Sequence, residues 1–101
     1  MKKEALLSLP YLEIVQQSGE IRYMGYILKL TAGEYEVFKV IASESGLEKE
    51  DIAARLSNSA QIAASSIPVH VFSINRKAVA VGGRKIVGYK RKMGYCIEKN
   101  I

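Results

Sequence analysis

Ile67-Pro68-Val69-His70-Val71-Phe72-Ser73-Ile74-Asn75-Arg76-Lys77-Ala78 is the stretch on which the fold turns. Pro68 stands in what would be a first helical turn, where a missing N–H loses no partner, and Ser65 or Ser66 is placed to cap the helix. At about 100° per residue, Ile67, Val71, Ile74 and Ala78 fall on one stripe that must face a core. The other side carries Val69, Phe72, Ser73 and Arg76, with His70 and Lys77 on the flanks. An exposed phenylalanine beside an arginine asks for a partner. His70 borders the core stripe, which favours a packed, hydrogen-bonded histidine. Gly82-Gly83 then stops the helix. Lys85-Ile86-Val87-Gly88-Tyr89 runs out as a strand and Tyr95-Cys96-Ile97 returns, around a tip that holds Lys90, Arg91 and Lys92.

Charge follows the same division. From Ser66 to Ile101 there are eight Lys/Arg against a single Glu, a net +7, whereas the residues before Ser66 carry seven Lys/Arg against nine Asp/Glu, a net −2. A mildly acidic body with a strongly basic end implies one surface meant for a polyanion. The 101 residues suit one domain, 1–101 with a core over about 9–97, and an apolar content of 49% is that of an ordinary globular chain. The single cysteine, Cys96, has no partner for an internal disulfide, which favours a reducing compartment, and it reads as a small apolar strand residue. The start, Met1 to Pro10, has a basic end and an apolar stretch broken by Ser8 and Pro10, too short for a secretory or membrane-spanning segment. The expected location is the cytoplasm.

Upstream of the helix the hydrophobic period changes once. Tyr11–Val15 and Ile21–Tyr23 are short β-favouring runs separated by Gln16-Gln17-Ser18-Gly19, and a turn at Gly25 leads to Tyr26-Ile27-Leu28-Lys29-Leu30, which together predict a small antiparallel sheet. Thr31-Ala32-Gly33-Glu34 has the form of a capping box, and behind it Val37, Phe38 and Ile41 give a helical apolar face that Gly46 can terminate. Leu47–Leu56 reads as a second, short helix with an acidic first turn, burying Ile52 and Leu56. Ser57–Ala64 is a loop or a frayed turn.

The whole is α+β: an N-terminal antiparallel sheet, three helices and a C-terminal β-hairpin wing, the parts of a winged helix-turn-helix. In that architecture a helix enters the major groove while the ribbon lies on the neighbouring backbone. Three motifs, in order, resemble the OmpR/PhoB-type winged-helix effector domain of bacterial response regulators. Leu30-Thr31-Ala32-Gly33-Glu34-Tyr35 is similar to the family's opening of its first helix, Ile67 to Lys77 to its recognition helix, and Val87 to Tyr95 to its wing. The resemblance implies transcription regulation in a two-component system through sequence-specific binding of double-stranded DNA. It implies head-to-tail dimers on direct repeats and a loop, here Ser57 to Ala64, that meets RNA polymerase. Family members also carry a receiver domain, and the sequence leaves open whether one accompanies this chain.

Departures from the pattern bear on specificity. Phe72, Ser73 and Asn75 stand where family members usually place arginines, while Arg76 and Lys77 keep charge. Asn75 is then expected to read adenine, and Phe72 or Val69 to pack on a thymine methyl. In the wing, Tyr89 replaces the family's threonine and Lys92 its first glycine, Arg91 keeps the family's arginine, and Ser57 stands where a phosphate-contacting tryptophan is common. The expected DNA contacts are therefore Ser65, Ser66, Val69, Phe72, Ser73, Asn75, Arg76, Lys77, Tyr89, Lys90, Arg91 and Lys92. Lys90, Arg91, Lys92 and the amides near Ser65 and Ser66 would hold phosphates, and the outer helix face would meet base edges.

A winged helix that serves as a protein-interaction module is the competing class, and RNA stacking on Tyr89 and Tyr95 a lesser one. Catalysis is not expected: there is one His and one Cys, no Gly-rich phosphate loop, and the carboxylates sit at helix starts, where the dipole explains them. No cofactor or metal is implied.

Overall fold

Alternation builds the first layer. Ile21 and Tyr23 are buried while Arg22 between them is exposed, the period-two pattern of a strand with one covered face. The computed structural model describes residues 5–8, 12–15, 20–56 and 62–98. Four strands, β1 (Ala5–Ser8), β2 (Leu12–Val15), β3 (Glu20–Tyr23) and β4 (Tyr26–Ile27), pair antiparallel in chain order. Leu12 faces Tyr23 and Val15 faces Glu20 across the β2–β3 ladder. β3 turns into β4 through Met24 and Gly25, both at positive φ (55° and 83°), the two-residue connection that matches strand twist. β1 differs from the sequence reading, which took Met1–Pro10 as an interrupted apolar start. Ala5–Ser8 is a strand on β2, with a register irregularity between Ala5 and Leu7. The expected turn at Gln16–Gly19 lies outside the described residues, as does Ser57–Gln61.

Helix α1 (Ala32–Ser43) begins on the predicted capping box. The Glu34 amide donates to Thr31 Oγ1 at 3.2 Å and the Thr31 amide donates to Glu34 Oε1 at 3.0 Å. Val37, Phe38 and Ile41 have no exposed surface, and burial of each contributes about 1.5–3 kcal/mol. The helix stops at Ser43, before Gly46. Gly46, at φ +87°, instead turns the chain toward the wing, and its amide donates to the Tyr95 carbonyl at 2.8 Å. Helix α2 (Lys49–Arg55) is shorter than expected, buries Ile52, and is tied back to the end of α1 where Arg55 forks onto the Glu44 carboxylate at 2.6 and 2.9 Å.

Helix α3 (Ile67–Gly82) follows a single 3₁₀ turn, Ala64–Ser66. Ile67, Val71, Ile74 and Ala78 are its buried residues, the stripe expected from periodicity. It ends on Gly83 in the left-handed conformation at φ +80°, whose amide donates to the Val79 carbonyl. At that end the N-terminal sheet docks. The Tyr23 ring lies so close to Gly82 that a Cβ there would stand 2.6 Å from ring carbon Cε2, and the Tyr23 hydroxyl donates to the Arg84 carbonyl at 2.9 Å.

The wing is β5 (Val87–Lys90) and β6 (Gly94–Ile97), with Lys90 opposite Gly94. Leu47 adds a short third rung, its carbonyl accepting the Tyr95 amide at 2.8 Å. The α1–α2 connection therefore fixes the ribbon from one side while Ile86, Val87 and Ile97 anchor it in the core.

Candidate nucleic-acid interface

Helix α3 turns its unburied side outward as a largely apolar face. Val69 is 67% exposed, Phe72 70% and Val79 48%, with exposed Arg76 between the last two. Phe72, Arg76 and Val79 lie at helical spacing, and with Asn75 and Lys85 they line a shallow hollow of about 370 Å³. Val79 and Lys85 were not among the expected contacts, although Val79 stands seven residues beyond Phe72 on the same face.

The polar residues expected on that face are mostly engaged inside the protein. Asn75 does not face outward to meet adenine, because its amide clamps the helix to the wing. Asn75 Nδ2 donates to the Val87 carbonyl at 2.9 Å, and its Oδ1 accepts the amides of Ile86 and Val87 at 3.0 and 2.9 Å. Backbone groups on a buried segment had to find partners, and Asn75 is within reach. Ser73 Oγ donates to Glu34 Oε2 at 2.5 Å, and Lys77 Nζ pairs with Glu34 Oε1 at 2.6 Å. Burial pushes the Glu34 carboxyl up, but hydrogen bonds from Lys77, Ser73 and the Thr31 amide outweigh it and hold the group below the ordinary range. Glu34 is 5% exposed and binds the start of α1 to α3. Its inward reach could not be read from a motif that explains it as a cap.

At the start of α3, Ser66 holds the cap position without a side-chain cap bond, since the 3₁₀ turn leaves it in helical geometry. The amides of Ser66 and Ile67 donate to the Ala63 and Ala64 carbonyls, so those two are not offered to a phosphate. Ser65 is exposed and Ser66 half-buried. His70 Nδ1 lies 2.8 Å from the Ser66 carbonyl, and its ring edge packs over Gly33.

The ribbon tip is cationic and open. Lys90, Arg91 and Lys92 are exposed and make no ion pair among the described residues, and Met93 beside them is exposed too. Lys92 has φ +70° at the third position of a four-residue turn closed by the Met93 amide on the Lys90 carbonyl. Gly94, at φ +90°, lets the wing pass the α1–α2 connection, where a Cβ would lie 2.5 Å from the Leu47 carbonyl oxygen. Tyr89 is half-exposed, but its hydroxyl donates to the Glu48 carboxylate at 3.0 and 3.1 Å, and its ring meets Tyr95 edge-on at 5.0 Å. The Glu48 hydrogen bond, then burial, raises the Tyr89 phenol above its usual value.

No helix among the described residues is long and apolar enough to cross a membrane. No family model matches the sequence, and no curated protein matches it significantly. Solved structures do match. One from a family of redox sensors in the streptococci that evolved from two-component response regulators superposes at a TM-score of 0.77, with 16% identity, over 99% of this chain and 44% of that one. The DNA-binding domain of the response regulator AdeR, in complex with an intercistronic region, superposes at 0.70, with 15% identity, over 91% of this chain and 97% of that one. The chain thus spans less than half the length of the first. The three share one fold, the winged helix expected from the sequence.

Proposed function

We propose that this chain binds double-stranded DNA sequence-specifically as the effector part of a transcriptional regulator in the cytoplasm, α3 entering the major groove and the wing lying on the backbone. The observation that carries the reading is the pairing of an outward α3 face with an unneutralised cationic tip, joined rigidly by Asn75. The fold likeness to the AdeR DNA-binding domain, itself in complex with an intercistronic region, supports it. Lys90, Arg91 and Lys92 hold phosphates, with the Ser65 and Ser66 hydroxyls at the far end of the helix. Val69, Phe72 and Arg76 meet the bases. Pairing on direct repeats, and a polymerase contact through Ser57 to Ala64, belong to the same reading.

Fluorescence titration against random duplex DNA tests it. If three to five phosphates are neutralised, log K should fall against log salt with a slope of roughly −3 to −4.5, at about −0.9 per phosphate. Binding that is absent, or indifferent to salt, would discard the proposal and favour a protein-interaction module, the reading that the apolar Val69, Phe72 and Val79 would then serve.

A further inference from the structure

The chemistry left on the outward face of α3 is narrower than its sequence. Of the side chains with hydrogen-bonding groups there, Ser73 and Lys77 are held by Glu34 and Asn75 by the backbone of Ile86 and Val87. What remains exposed toward a partner is Val69, Phe72 and Val79, with Arg76 making no ion pair among the described residues. Such a face offers a groove few uncommitted donors and acceptors, the Arg76 guanidinium foremost. In the major groove, the apolar group that a base pair presents at its edge is the C5-methyl of thymine. A protein partner would cover the same apolar residues, but the basic end of the chain and the cations Lys85, Lys90, Arg91 and Lys92, which make no ion pair among the described residues, complement a polyanion.

We propose that α3 is a methyl reader, in which Val69 and Phe72 select sites by the C5-methyl groups of thymines while Arg76 supplies the one hydrogen-bonding contact on that face. This rests on the DNA-binding reading above and names the class of duplex it prefers. Spacing limits the pattern. Val69 and Phe72 are three residues apart, about 4.5 Å along the helix axis, so the two methyls they meet belong to neighbouring or next-neighbouring base pairs. The hollow beside Phe72 is lined by Asn75, Arg76, Val79 and Lys85, so that a methyl and a nearby phosphate can be met together.

The test changes methyl groups and leaves hydrogen-bonding edges alone. Four 24-base-pair duplexes are titrated at one salt concentration: alternating d(A-T), the same with deoxyuridine for thymidine, alternating d(G-C), and the same with 5-methylcytosine. Removing the methyls is expected to weaken binding by about fourfold for each contacted methyl, some tenfold or more in all, and adding them to cytosine to strengthen it. Phe72→Ala should bring the thymine-to-uracil ratio close to one, and Phe72→Leu should keep part of it. Phe72 is exposed, so both variants should fold, which a thermal melt checks. Binding to all four duplexes without a methyl effect overturns this inference and leaves the proposed function standing. Failure to bind any of them overturns both.

Discussion

At the scale of single residues, Glu34 and Lys92 make the sharpest statements. Glu34 holds its charge because three donors converge on it, and its carboxyl is lowered in the folded protein. A group lowered by folding contributes stability above its ordinary value near pH 4.3, and loses it as pH falls through the lower native value. Thermal melts from pH 6 to pH 3 should therefore show wild type losing more stability than Glu34→Gln. The variant should start about 1–2 kcal/mol below wild type at neutral pH and converge with it in acid. Parallel curves would mean that the carboxylate carries no linked charge. Lys92 sits in left-handed backbone where a Cβ is strained. Lys92→Gly should raise stability by up to about 1 kcal/mol in denaturant titration while weakening DNA binding, so that the two readouts move in opposite directions.

Among elements, the joint between α3 and the wing decides most. Asn75 serves two amides and one carbonyl of a segment in which Ile86 and Val87 are fully or almost fully buried. Replacing it with alanine leaves those groups without partners, and chemical denaturation should show a loss of about 2–4 kcal/mol. If Asn75 read a base instead, Asn75→Ala would leave stability near wild type and change sequence preference. The rung at Leu47 and the turn at Gly46 hold the ribbon from the other side, and this explains why the α1–α2 connection is short and structured.

Across the whole molecule, charge separates from folding. Three acidic residues of the body are engaged within it: Glu34 on Ser73 and Lys77, Glu44 on Arg55, Glu48 on Tyr89. Among the described residues of the last third, Arg76, Lys85, Lys90, Arg91 and Lys92 make no ion pair, and exposed charges of this kind add little to stability but set the field that a polyanion meets. Arg91→Ala should accordingly leave the thermal midpoint nearly unchanged, weaken binding to all duplexes alike, and reduce the salt slope by about 1. A variant that altered sequence preference would place Arg91 at a base rather than a phosphate.

Local order was written in the chain. The capping box at Thr31, the buried stripe Ile67-Val71-Ile74-Ala78, the stop at Gly83 and the wing strands all depend on backbone geometry and on spacing within a few residues, so the sequence by itself determined them. β1 escaped notice because four residues with an irregular register give too little alternation to read. Where Ser73, Asn75, Lys77 and Tyr89 point was decided by tertiary structure alone. Their partners lie 11 to 43 residues away, at Glu34, Glu48, Ile86 and Val87, and a polar side chain goes to whichever unmatched group the packing brings beside it.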